Sequence, residues 1–303
     1  MPLKNSLSET SSFGKVLLLI ALMTLGTIVA LLILLGLNSV FFDLPLNLNN
    51  SLSSNSEPEV ILSTKLLQIA SQIGLFILPA IGFAYLTAPS IKKGISLNGV
   101  PHIRTITIVL ACTLLAIPFI NLLAQWNSNW HLPEAFQSIE NWMRNMQAAN
   151  DQLMEVILIM NSPTDIGINI VMMAILPAIG EELIFRGILQ KLFINLFKQP
   201  HIAILVTSII FSAFHLQFLG FFSRLILGML FGYLFYYSQN IWTAILAHFT
   251  NNFLALVLAL IYGTEMSSQT FEIENDPILI ISSVIAMAFS IFLLTKNRST
   301  NFA

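Results

Sequence analysis

The chain of 303 residues is 56% hydrophobic and only 9% charged, against about 25% charged residues in an ordinary soluble domain, so a water-soluble globule is excluded. Its 13 Lys and Arg against 15 Asp and Glu give a formal charge of -2, which leaves no cationic surplus to neutralise phosphates, and nucleic acid is not an expected partner. The single cysteine, Cys112, rules out an intramolecular disulfide or a cysteine-based zinc site, and its apolar surroundings suit a small buried hydrophobe.

Crossing the hydrocarbon core of a bilayer takes about 20 mostly apolar residues at helical rise. Eight candidate runs appear, at about Phe13 to Leu37, Leu66 to Thr87, Thr105 to Gln125, Ile166 to Phe193, Ile202 to Phe222, Leu225 to Tyr237, Ile241 to Tyr262 and Pro277 to Thr295, the sixth falling short of that length. The expected fold class is therefore all-α, a polytopic transmembrane bundle of about eight spans. In the first, Lys4 and Lys15 precede an apolar run from Val16 to Leu37. That run is longer than a signal-peptide core and no small-residue cleavage site follows, which favours an uncleaved anchor. The next stretch, LNLNNSLSSNSEPE, reads as a solvated outer loop. Between the third and fourth spans, Phe136, Ile139, Met143, Met146, Leu153 and Ile157 line one helical stripe with charges between them, the pattern of an interfacial helix. It is expected to rest on the outer headgroups, or, in a functional version, to act as a lid over an intramembrane cavity. The sixth span is short and carries Gly228 and Gly232 at a spacing that lets one backbone approach another.

Cytoplasmic loops should hold the Lys and Arg. With the N-terminus inside, the inner segments hold Lys4, Lys15, Lys92, Lys93, Arg104, Lys191, Lys198, Lys296 and Arg298, and the outer ones hold Asp43, Glu57, Glu59, Glu134, Glu140, Asp151, Glu155, Asp165, Glu265, Glu272, Glu274 and Asp276. Lys65, Arg144 and Arg224 are exceptions, and both termini are predicted to be cytoplasmic. The predicted organisation is N-terminal spans with outer loops and the interfacial helix over 1–164, a core over 165–262, and an outer loop with the last span over 263–303.

The fourth span contains Glu181, Glu182 and Arg186 in an otherwise apolar helix. Each costs about 2.5–3.5 kcal/mol near a bilayer centre by insertion scales, so these residues should face the bundle interior or a wet cavity and have partners. Glu182 and Arg186, four apart, fit an ion pair along one face. Glu181 is rotated by about 100° and left over. Pro177 removes the helical donor to the carbonyl of Met173 and should kink the helix beside the acids. Two further spans carry imidazoles, His215 four residues after Phe211, and His248 four residues before Asn252. A lone intramembrane histidine is commonly an interhelical hydrogen-bonding group. Two histidines, two carboxylates, an Arg and an Asn on three spans converge only if the bundle is built around them.

The motifs Glu-Glu-x-x-x-Arg (Glu181, Glu182, Arg186), Phe-x-x-x-His (Phe211, His215) and His-x-x-x-Asn (His248, Asn252) resemble, in type and order, those of the CPBP intramembrane glutamic endopeptidases. That family includes type II CAAX prenyl endopeptidases and lysostaphin resistance protein A-like members. The resemblance covers about Ile166 to Tyr262. It implies a catalytic set of Glu181, Glu182, Arg186, His215, His248 and Asn252, without a cofactor or metal. Glu181 would activate a water, His215 would position it, His248 and Asn252 would donate to the oxyanion, and Glu182 with Arg186 would orient the site. The implied partners are a membrane-associated peptide or protein substrate, CAAX-like, bacteriocin-related or regulatory, and the lipid bilayer. The implied location is the cytoplasmic (inner) membrane of a bacterium.

Residue chemistry is compatible with these roles, since acyl hydrolysis needs a base, a water and oxyanion donors worth about 2.7–4 kcal/mol each. Cys112 lies outside the matching core and no Gly-x-Ser-x-Gly elbow flanks the histidines, which disfavours covalent catalysis. Glu181, His215 and His248 form a set that can hold zinc, although no His-Glu-x-x-His pair is present. The rivals from other classes are a secondary transporter or proton relay, which should show a matching set of polar residues in spans one to three and does not, and a non-catalytic membrane scaffold.

Overall fold

The computed structural model describes residues 3–41, 56–263 and 276–296. Asp43, Glu265, Glu272, Glu274, Arg298 and most of the Asn/Ser-rich loop lie outside the described residues, so the charge asymmetry is traced only in part. The described residues form helices and no strand, and seven helices are long and apolar enough to cross a membrane.

The helices are α1 (Ser12–Phe41), α2 (Pro58–Thr87), the short α3 (Ile91–Gly94), α4 (Ile103–Ser128), α5 (Gln137–Ile157), α6 (Pro163–Phe197), α7 (Pro200–Phe214), α8 (Phe221–Ser238), α9 (Ile241–Tyr262) and α10 (Pro277–Thr295). Their ends have local causes. Ser162 accepts from the Asp165 amide ahead of Pro163, Asn240 from the Trp242 amide, and Asp276 from the Ile278 amide ahead of Pro277, each satisfying an orphan donor of a first turn. Lys198 and Gln239 adopt left-handed backbone and stop α6 and α8.

Seven of the eight predicted spans match helices. The fifth needs correction, because α7 stops at Phe214 rather than Phe222. Leu216 enters the left-handed region at φ 53°, a conformation costing a non-glycine residue about 1–3 kcal/mol that persists where the surroundings impose it. A 3-10 turn at Phe218–Gly220 then leads into α8. The 15 residues of α7 rise about 22 Å, less than the ~30 Å hydrocarbon core, so this helix does not cross it alone and the turn at Phe218–Gly220 continues its path.

α6 is the central helix. From Gly180 to Gln190 every residue is buried, and Ile184, Phe185 and Ile188 share a core with Phe76, Phe211, Leu230, Phe231 and Ile245. α1 and α10 lie outside, with Ile20, Leu25, Leu32, Ile281, Ile285 and Phe289 exposed as expected of lipid-facing positions. Cys112 is fully buried and unpaired among the described residues, as the sequence suggested.

The predicted interfacial helix is α5. Phe136, just before it, and Ile139 and Trp142 within it are exposed, whereas Val156 and Ile157 are buried at its C-terminal end. Trp142 touches Phe218 with ring centroids 5.1 Å apart, which lays α5 beside the turn that follows His215. The same N-terminal end is fastened by Glu140, which accepts from the Leu132 amide (2.8 Å) and from Arg144 Nε (2.8 Å) and lies 2.9 Å from His131 Nδ1. These bonds, the Leu132 amide foremost, hold the Glu140 carboxyl far below its ordinary range, at about 2.

Candidate active site

Glu182 and Arg186 are fully buried, and Glu181 and His248 are nearly so. Arg186 Nη1 donates to Glu182 Oε1 at 2.7 Å, and His248 Nδ1 approaches the same oxygen at 2.9 Å. A carboxylate oxygen only accepts, so His248 carries its proton on Nδ1. Glu182 thus ties α6 to α9. The guanidinium lies 4.6 Å from the Phe211 ring and 5.5 Å from Phe231, and Phe231 also stacks on His248 at 5.2 Å. Aromatic faces therefore surround a cation that water cannot reach.

The small residues of α8 explain how Arg186 is accommodated. Its Nη2 donates to the Gly228 carbonyl (2.9 Å), and Gln190, one turn on, donates to the Gly232 carbonyl (3.1 Å). A Cβ on Gly228 would meet Phe211 and Ser208 at 3.1 Å, and one on Gly232 would meet Ile204 at 2.9 Å. The close approach predicted from the Gly228 and Gly232 spacing is therefore real, and it exposes two carbonyls to the polar side chains of α6.

Glu181 is not paired with Arg186. Its Oε2 is buried, has no hydrogen-bond partner among the described residues, and lies 3.9 Å from His215 Nε2. His215 Nδ1 is 2.9 Å from the Phe211 carbonyl. A carbonyl cannot donate, so Nδ1 bears the hydrogen and the neutral ring presents Nε2 as an acceptor. Two acceptors 3.9 Å apart cannot bond each other, but one water can donate a hydrogen to each. The end of α7 at Phe214 leaves His215 partly exposed while its neighbour is buried.

Asn252 bonds to neither of these groups. Its Nδ2 donates to the Met173 carbonyl at 3.1 Å, and its Oδ1 accepts from Asn251 at 3.2 Å. Met173 is the carbonyl that Pro177 deprives of its helical donor. Around it α6 widens into a π turn at Ile170–Ile175, and a second π turn at Phe185–Gln190 carries Arg186. Such turns recur at functional sites.

The structure thus brings Glu182, Arg186 and His248 into one network, sets Glu181 and His215 face to face, and holds Asn252 one turn along α9. Sequence reasoning assigned no role to Phe211, Phe231 or Gln190, whose contributions are an aromatic bed, a carbonyl that sets a tautomer and a clamp on α8. Nor did it use Arg224, whose guanidinium donates to the Gln217 carbonyl (2.9 Å) and side-chain oxygen and lies within electrostatic reach of Glu181 and of Asp151 on α5. Only the Phe-x-x-x-His spacing hinted at the first of these. Among the described residues no three His, Cys, Asp or Glu side chains converge as metal ligands, so Glu181, His215 and His248 are not brought together as a zinc set.

Residues 163–254 match the family described as type II CAAX prenyl endopeptidase Rce1-like. This segment belongs to that family. The match supports intramembrane endopeptidase activity of the CAAX type in general, and the seven apolar helices support a multi-pass membrane protein. No curated protein and no solved structure gives a significant match. The CAAX endopeptidase segment contains every polar side chain of the two networks described above.

Proposed function

We propose that the protein hydrolyses a peptide bond of a membrane-associated substrate with a water activated by Glu181 and His215, as a glutamic endopeptidase. The observation that carries this reading is the 3.9 Å separation of two hydrogen-bond acceptors, Glu181 Oε2 and His215 Nε2, the first of them buried and unpartnered among the described residues. A water donating to both presents an oxygen lone pair to a scissile carbonyl. Glu181 takes a proton as the C–O bond forms and returns it to the departing amine as the C–N bond breaks. Glu182 and Arg186 hold His248 in place, and His248 and Asn252 are the candidate oxyanion donors, His248 through Nε2 as the imidazolium, since its Nδ1–H is given to Glu182, and Asn252 through the N–H not given to Met173.

In this reading substrate approaches from the partly exposed side of His215, beyond the end of α7 and beside α5. The reading extends to a bacterial cytoplasmic membrane with both termini inside, which puts α5 on the outer face. Substrate chemistry within the CAAX-like, bacteriocin-related or regulatory range is open to discovery by comparing membrane-protein fragments from cells making the wild type and Glu181→Ala. Fragments present with the wild type and missing with the variant support hydrolysis, whereas an identical fragment set overturns it. Cleavage by purified protein that stops on chelation would instead assign the reaction to a metal.

A further inference from the structure

A polar cavity lies at the opposite end of α6 from the residues that lead to α5. It holds about 220 Å³ and is lined by Lys15, Thr87, Lys191 and Asn195 over the apolar surfaces of Phe83 and Leu192. Lys15 belongs to the first turn of α1, Thr87 ends α2, and Asn195 lies in the last turn of α6. Three helix ends therefore place the cavity at the boundary between the bundle and water.

Its charge is uncompensated. Lys15 Nζ donates to the Ser8 carbonyl (2.6 Å), and Lys191 Nζ donates to the Gly94 carbonyl (2.6 Å) and Ser96 Oγ (3.0 Å). No carboxylate lines the cavity. Among the described residues neither ammonium has an acidic partner within ion-pair distance. An ammonium has three donors, so Lys15 keeps two and Lys191 keeps one. Carbonyls of turns and helix ends orient these cations but do not neutralise them, and two like charges in one partly apolar cavity repel unless an anion joins them.

We propose that this cavity binds the phosphate of an anionic phospholipid headgroup, held by Lys15 and Lys191 and bordered by Thr87 and Asn195. A phosphodiester supplies acceptors for all the spare donors. The apolar floor and the position at the helix ends suit a headgroup whose acyl chains remain in the bilayer, and basic pockets between transmembrane helices bind lipid headgroups in this way.

The test is a thermal unfolding titration of the purified full chain in neutral detergent with phosphatidylglycerol, phosphatidylcholine or inorganic phosphate. Phosphatidylglycerol is expected to raise the midpoint of the wild type and of Lys92→Gln/Lys93→Gln, which alters basic residues outside the cavity. Lys15→Gln/Lys191→Gln is expected to need about twenty-fold more lipid for the same shift. Should that variant fail to fold, Asn195→Trp fills the cavity with both charges kept and is expected to weaken the response equally. Inorganic phosphate protecting as well as phosphatidylglycerol would keep the anion site and identify a soluble source. Equal protection by phosphatidylcholine, or an unchanged titration in both cavity variants, would overturn the proposal.

Discussion

Glu181 and Glu182 are neighbours in sequence and opposites in role, and substitution should separate them. Glu182 accepts from Arg186 and His248 in the dry centre of the bundle, where removing one member of a charge pair costs about 3–5 kcal/mol. Glu182→Ala is therefore expected to lower the unfolding midpoint strongly and to abolish cleavage as a consequence. Glu181 Oε2 has no such partner, so Glu181→Gln should leave the midpoint within a few degrees while cleavage falls about 10²–10⁴-fold. His215→Ala should fall similarly, and the double variant little further, since both groups act on one water. A midpoint loss in Glu181→Gln equal to that in Glu182→Ala would make Glu181 a structural residue.

The central helix is shaped by what proline removes and glycine permits. Pro177→Ala supplies an amide for the Met173 carbonyl and releases Asn252 from that duty. The expected result is unchanged or higher thermal stability with at least tenfold slower cleavage, because the site's geometry depends on the widened turn. Gly232→Ala acts by packing. Its new methyl would sit 2.9 Å from the buried Ile204 Cγ2, and such overpacking typically costs about 1–3 kcal/mol, readable as a lower unfolding midpoint. A rise in that midpoint would mean that α7 and α8 separate easily.

Across the whole protein, the attachment of α5 should depend on acid. Glu140 titrates at about 2 rather than its ordinary 4.5, so its contribution to holding α5 is fully present above about pH 4.5 and is lost as the pH falls toward 2. Limited proteolysis between pH 5 and 2.5 is expected to expose the α4–α5 connection progressively in the wild type, whereas Glu140→Gln should be cut there already at pH 7. Equal resistance of the two proteins at neutral pH would show that burial of Val156 and Ile157 alone fastens α5.

Hydropathy alone determined the helical class, the spans at Ile241–Tyr262 and Pro277–Thr295 and the presence of polar groups that lipid could not accept, because apolar run length is a property of consecutive residues. The Glu182–Arg186 pairing and the Met173 carbonyl left bare by Pro177 were legible for the same reason, both being set by helical periodicity. The early end of α7 was not, since a left-handed Leu216 is imposed by the packing of its surroundings and has no glycine to announce it. Equally hidden were the Phe211 carbonyl that sets the His215 tautomer, the attachment of Asn252 to Met173 and the meeting of Lys15 with Lys191. The first is a local contact whose spacing was visible but whose effect on the ring was not, whereas the other two join groups far apart in the chain, which only the packing of helices in space brings near one another.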